Sequence, residues 1–388
     1  MSISKPLYEC SGLILWSLAL FTVLIIAALK PEVRSVLVAY DFGTQSFYSH
    51  STLYNLESTM GYLYAPGFAA LYAPFYALGP AVGGLLWRGL GVGLLTFVVF
   101  KQVKRLDTAN TTEIGSLAMF IAIPLSLGAV RNGQATILLT AACWLLTLNA
   151  LDRRRGATLL WALIALLVKP TAIVMVLLVG ALRPKLIPHL VIAILLVFAI
   201  PYAFAPADYV TSQNIEFVRL LSSMSSNRSS AFEPADFTGV LTAFGIEVSS
   251  SVAMLVRMLA AGMMLATVVW IDRRAGRHRA FAIFLMATCY MTVFNPRVES
   301  NTYVMLAVPL AVAISYLKLR IPGQPLVSAC GILVFIAGLT GAHAHIHTML
   351  NPWFKPLVMT LVAIPVFVWL LEVALHPRQK SAPSIRSV

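Results

Sequence analysis

The sequence is short of charge: Asp, Glu, Lys and Arg together make up 11% of its 388 residues. Ordinary soluble domains carry about 25%, so this chain cannot clothe a water-facing surface of normal polarity. Acids are the scarcer sign, 15 against 28 basic residues, which leaves a net charge of +13. Cysteine is rare as well. Cys10, Cys143, Cys289 and Cys330 lie in or beside apolar runs without any C-x-x-C spacing, a pattern of buried thiols that excludes a disulfide framework. No Gly/Ser-rich linker marks off a separate soluble domain.

What fills the chain instead is apolar, with 59% hydrophobic residues and a mean hydropathy of +0.84. Successive apolar runs of about 15 to 20 residues suit helices crossing a hydrocarbon core, not the alternating strands of a barrel. The positive charge sits in short clusters between these runs, as membrane topology requires, and so does not indicate a nucleic-acid partner. We expect an all-α, polytopic membrane bundle of about 12 helices (10–13). Spans are expected at 12–29, 81–100, 112–129, 135–151, 157–168, 171–182, 187–204, 251–271, 280–294, 302–317, 325–341 and 356–374. Residues 1–376 then form a single membrane domain, and 377–388 a cytoplasmic tail. The first run is longer than a signal-peptide core and ends in Ala28-Leu29-Lys30-Pro31, a poor cleavage site, so it reads as a retained helix.

With the N-terminus in the cytoplasm, every basic cluster falls inside: Lys101 to Arg105, Arg153 to Arg155, Arg183 with Lys185, Arg273 to Arg279, Lys318 with Arg320, and the tail. Residues 61–79 are apolar enough to span, but they carry Pro66 and Pro74, and a crossing there would put Lys101 to Arg105 outside. We therefore place an interfacial helix within a first external loop, 30–80, with Tyr62, Tyr64, Tyr72 and Tyr76 at headgroup level. A second long external loop covers 205–250. The arms flanking Lys169-Pro170 have only about 12 residues, or roughly 18 Å of helix, too short to cross. They read as a hairpin whose tip lies at membrane depth.

On this map Asp41 is an acid at the external edge, followed by a Tyr- and Pro-rich platform. A carboxylate there can accept the proton of an attacking hydroxyl; the plainer alternative is a helix cap or a pair with Arg34. Glu57, Asp208, Glu233 and Asp236 are rival external acids. Arg131, Lys169 and Arg297 each end an apolar span on the external side, where a cation needs an anionic partner. The turn Arg131-Asn132-Gly133-Gln134 offers a guanidinium fork and amide donors suited to phosphate, and Lys169 stands before Thr171 at a helix start. Each cation could instead pair with a headgroup or a local acid, such as Glu299 for Arg297. His343, His345 and His347 alternate, which on an extended segment puts three imidazoles on one side, but no Cys or carboxylate completes a metal set.

The order of these motifs carries a resemblance. Asp41-Phe42 with Tyr48, then Tyr62-Leu63-Tyr64-Ala65-Pro66-Gly67-Phe68 and Ala73-Pro74, then Gly133-Gln134 and Leu167-Val168-Lys169-Pro170-Thr171 resemble glycosyltransferase family 87. That resemblance implies the C-type membrane glycosyltransferase fold and inverting transfer of a sugar, mannose in that family, from a polyprenyl-phosphate donor to a lipid or glycan acceptor. It implies an active site on the extracytoplasmic face of the inner (plasma) membrane, with Asp41 as the family's acid and Lys169 as its hairpin lysine. Arg131, Lys169 and Arg297 are then the expected phosphate ligands, and Tyr48, Tyr64, Asn132, Gln134 and Glu299 the expected substrate contacts. No metal or other cofactor is expected, since the cations suffice for the leaving group. The alternative is a transporter or flippase of a lipid-linked sugar, a class that favours ionisable groups in broken midplane helices and internal repeats. Here the acids lie almost entirely in loops, and the halves show no duplication. An inactive accessory subunit is a third reading.

Overall fold

The computed structural model of the protein describes residues 5–54, 61–226, 234–341 and 344–376. Among them there are helices and no strand. In chain order these are α1 (Lys5–Leu29), α2 (Leu37–Tyr48), α3 (Pro66–Ala77), α4 (Gly79–Leu106), α5 (Thr111–Asn132), α6 (Thr136–Leu151), α7 (Arg155–Val168), α8 (Ile173–Leu182) and α9 (Ile187–Ala199). They continue with α10 (Ala207–Ser226), α11 (Phe237–Ala243), α12 (Ser250–Asp272), α13 (Arg279–Val293), α14 (Val304–Arg320), α15 (Pro325–Leu339), α16 (Ala344–Leu350) and α17 (Phe354–Leu375).

A helix stands at every expected span. Seven helical segments are long and apolar enough to cross a membrane, and α6, α7, α8 with its short 3-10 lead-in, and α15 are shorter apolar helices. The protein is an all-α membrane bundle. Every residue of α6 is buried, because α4, α7, α13 and α14 surround it. Such all-round burial explains why α6 is apolar on every face instead of on one stripe. Trp144 at its centre stacks on Phe284 of α13 with ring centroids 4.3 Å apart. The half-exposed apolar side chains lie instead on peripheral helices such as α1, α12 and α17, where lipid covers them.

The two ends of the bundle differ in kind. At one end, charged pairs tie helix termini together: Arg105 to Asp152, Arg183 to Asp272 at 2.7 Å, and Arg320 to Asp107. At the other end, α2, α3 and the α5–α6 turn form a compact polar and aromatic layer. Gly43 of α2 allows that packing, since a Cβ there would lie 2.3 Å from the Tyr62 ring.

Arg88 of α4 is buried and holds the end of α5. Its Nε donates to the Val130 carbonyl (2.9 Å), Nη1 to Gly84 (3.0 Å), and Nη2 to the Arg131 carbonyl (3.0 Å) and Ser35 Oγ (3.2 Å). The Val130 and Arg131 carbonyls lie in the last turn of α5, where the helix offers them no further turn to bond. Arg88→Met leaves the Arg131 carbonyl and Ser35 Oγ without this donor and removes the second bond to the Val130 carbonyl, and we expect a loss of about 1–3 kcal/mol. The check is thermal unfolding in detergent; an unchanged midpoint would contradict this role.

Three expectations need correction. The stretch around Asp41 is not a loop: it folds into α2. The long segment 205–250 holds α10 and α11, with Val210, Gln213, Phe217 and Leu220 buried at helical spacing. The histidine stretch is not extended. His345 and His347 belong to α16, where positions two apart point about 200° away from each other, so these two imidazoles do not share a side. His343, Glu57, Glu233 and the tail 377–388 lie outside the described residues.

Candidate active site

The turn between α5 and α6 organises the site. Gly133 ends α5 in the left-handed region (φ 68°), and its N–H donates to the Val130 carbonyl while that of Gln134 donates to Ala129. This is the glycine-dependent helix stop, and it turns the chain sharply. A Cβ on Gly133 would also approach Leu37 Cδ2 to 2.9 Å. Trp87 Nε1 donates to the Gly133 carbonyl at 2.9 Å, and the Val36 N–H donates to the Asn132 carbonyl at 2.9 Å. Four elements thus fix a turn from which Gln134 projects.

Gln134 Nε2 donates to Glu299 Oε2 at 2.8 Å, joining residues 165 positions apart. Glu299 is an exposed residue, so its other carboxylate oxygen is open to a ligand. Lys169, at the α7–α8 hairpin tip, is drawn into the same group. Burial pushes its ammonium below the ordinary lysine value, and the neighbouring Glu299 carboxylate opposes that shift. Tyr40 and Tyr64 complete the cluster, their hydroxyls 3.0 Å apart, and Tyr40 Oη also accepts the Ala135 N–H at 3.1 Å. Burial pushes the Tyr40 phenol up to about 12 and that of Tyr64 well above its ordinary value, with Glu299 adding to both. Both phenols therefore stay neutral. The Tyr40 ring sits edge-on to Tyr64, Phe68, Tyr72 and Trp87, with centroids 5.0 to 5.8 Å away.

Asp41 lies on a different face of α2. With Gln45 and Tyr48 it forms an i, i+4, i+7 row, the outer two about 10 Å apart. Burial raises the Asp41 carboxyl above the ordinary aspartate value, and it lies within electrostatic reach of the Tyr72 hydroxyl. Among the described residues it makes neither an ion pair nor a helix cap; the Arg34 pairing considered from sequence does not form. Tyr48 Oη donates to the Ala70 carbonyl at 3.2 Å, so this side chain also braces α2 against α3.

The expected phosphate ligands have different immediate neighbours. Lys169 belongs with Glu299, whereas Arg131 turns towards the end of α1, where Nη2 donates to the Lys30 carbonyl at 3.3 Å and Arg34 lies nearby. Arg131 Nη1 is buried without an acceptor among the described residues. Arg34 and Lys355 are in turn close enough to His347 to add to the burial that keeps its imidazole below the ordinary value. No described carboxylate pairs with Arg34, Arg131 or Lys355. The Arg297 N–H closes a turn onto Asn295 Oδ1 at 3.1 Å.

The rival acids separate on structural grounds. Asp236 is buried, caps α11 through the Thr238 and Gly239 N–H groups and pairs with Arg257 at 2.8 Å, so its oxygens are committed. Asp208 is an exposed acid in the first turn of α10. Sequence reasoning named no role for Tyr40 or Lys355, and considered Arg34 and His347 only as a partner for Asp41 and as part of a metal set. Only Tyr40 left a signal, as an aromatic next to the acid.

The family model for glycosyltransferase family 87 matches residues 62–296, more than half of the chain. Its matched stretch includes Gln134 and Lys169; Asp41 and Glu299 fall outside it. A search of curated proteins finds no match.

Proposed function

The chain belongs to glycosyltransferase family 87, and from that premise we propose that it moves a sugar from a polyprenyl-phosphate donor to a hydroxyl of a lipid or glycan acceptor, with inversion. Mannose is the sugar proposed. One observation carries the reading: Asp41, a carboxylate without an ion-pair partner among the described residues, shares one end of the bundle with a carboxylate–amide–ammonium cluster whose Glu299 is exposed. In the mechanism, Asp41 takes the acceptor hydroxyl proton as that oxygen attacks the anomeric carbon. The bond from that carbon to the phosphate oxygen breaks, and its electron pair leaves with polyprenyl phosphate. Glu299 and Gln134 offer one acceptor and one donor to sugar hydroxyls, with Asn132 and Tyr64 beside them. Lys169 balances charge growing on the phosphate, and the inward N–H groups of Arg131 supply a second contact. Arg297 completes the proposed phosphate set.

The positive-inside rule supports cytoplasmic termini in an inner (plasma) membrane and an extracytoplasmic site, because Lys101 to Arg105, Arg153 to Arg155 and Lys318 lie at the opposite end from Asp41. A transporter or flippase fits less well, since Gln134 and Glu299 lie in connections between helices and not within broken spans.

The test is transfer of radiolabelled sugar from a polyprenyl-phosphate donor by purified protein, run against pH. A glycosidic product is expected; donor movement across a vesicle membrane without one would overturn the reading. The profile should be bell-shaped. Activity needs Asp41 ionised, so it falls as pH drops through a carboxyl raised above about 3.9. It also needs Lys169 protonated, so it falls again as pH climbs through an ammonium lowered below about 10.4.

A further inference from the structure

At the end of the bundle remote from Asp41, helices α5 and α15 part company. Near the site they touch backbone to backbone, since a Cβ on Gly338 would lie 2.4 Å from the Leu125 nitrogen. Seven residues earlier, a Cβ on Gly331 would meet only Ile314 and Ile121, at ordinary distances of 3.4 and 3.6 Å. The splay opens a wedge between α5, α14 and α15 of about 490 Å³, walled by Leu117, Ile314 and the stacked pair Phe120–Phe335. That volume falls within the range of about 300–1,000 Å³ typical of small-molecule sites.

The groove is apolar except at its outer end. There Lys318 Nζ donates to Ser328 Oγ at 2.6 Å, a neutral partner, and no described carboxylate pairs with the ammonium. The neighbouring Arg320 is already committed to Asp107. Leu326, Ile332 and Ile336 beside the mouth are exposed, as lipid-facing side chains are. We infer that this groove is a binding site for an anionic phospholipid of the leaflet on the basic side, with one acyl chain in the wedge and the phosphate on Lys318 and Ser328.

The donor lipid is not the occupant. Its phosphate must reach the Asp41 end, and α14 alone separates Lys318 from that end by about 21 Å.

Full-length protein in nanodiscs is the material for the test. Native mass spectrometry should find phosphatidylglycerol retained over phosphatidylcholine. Lys318→Gln should weaken that retention about fivefold, the worth of one lysine at an anionic surface. Gly331→Leu should fill the wedge and remove the bound lipid while sugar transfer survives. Equal retention of the two phospholipids, undiminished retention in both variants, or preferential retention of polyprenyl phosphate at this groove would each overturn the assignment.

Discussion

Asp41→Asn is expected to lower sugar transfer by about 10²–10⁴-fold, the usual range for loss of a positioned general base, while leaving the melting temperature and donor binding unchanged. The amide keeps the size of the carboxylate but cannot take the acceptor proton. Its effect on the fold should be small, because Asp41 caps no helix and joins no ion pair among the described residues. Burial that raises the Asp41 carboxyl penalises its charged form, so neutralisation relieves that penalty. The acid limb of the pH profile should vanish in the variant, which separates a base from a residue that only shapes the cleft. Asp41→Glu keeps the charge but moves it by a methylene, and should recover part of the rate. Turnover of the Asn variant within twofold of the parent would falsify the assignment.

The spans were legible because they obey a simple rule: a lipid-crossing helix must be apolar over its whole length, and basic clusters stop it. Shorter helices outside that rule were harder. α2 mixes Tyr40, Asp41, Thr44 and Gln45 over 12 residues, and tertiary packing against Tyr62, not local propensity, holds it. α10 does carry a signal, the apolar spacing of Val210, Phe217 and Leu220, within the segment expected as the second external loop. Asp236 before Phe237-Thr238-Gly239 likewise has the form of a helix N-cap, which could have removed it from the rival acids. The site itself divides in the same way. Gln134 and Lys169 announce themselves by a turn glycine and a proline, whereas the Gln134–Glu299 bond spans 165 positions and leaves no periodic trace. Grouping Arg131 with Lys169 was an inference from shared face alone, and the helix ends direct the two side chains to different neighbours.

Lys169→Met should cut transfer by about 10²–10³-fold, the scale of losing one preorganised group that stabilises transition-state charge. The fall should appear in kcat more than in KM, because negative charge on the phosphate grows as the glycosidic bond breaks. A purely structural lysine would instead serve to neutralise Glu299, its electrostatic neighbour. The two roles differ in a double-mutant cycle with Glu299→Gln. If Lys169 only balances Glu299, removing both charges restores the fold and most of the rate, and the single losses fail to add. If it stabilises the leaving phosphate, the Lys169→Met loss persists undiminished in the Glu299→Gln background, where no carboxylate is left to balance. Glu299→Gln alone keeps a partner for Gln134 and should weaken sugar binding more than turnover. Recovery of transfer in the double variant would remove Lys169 from the leaving-group role and return the phosphate to the cations around Arg131.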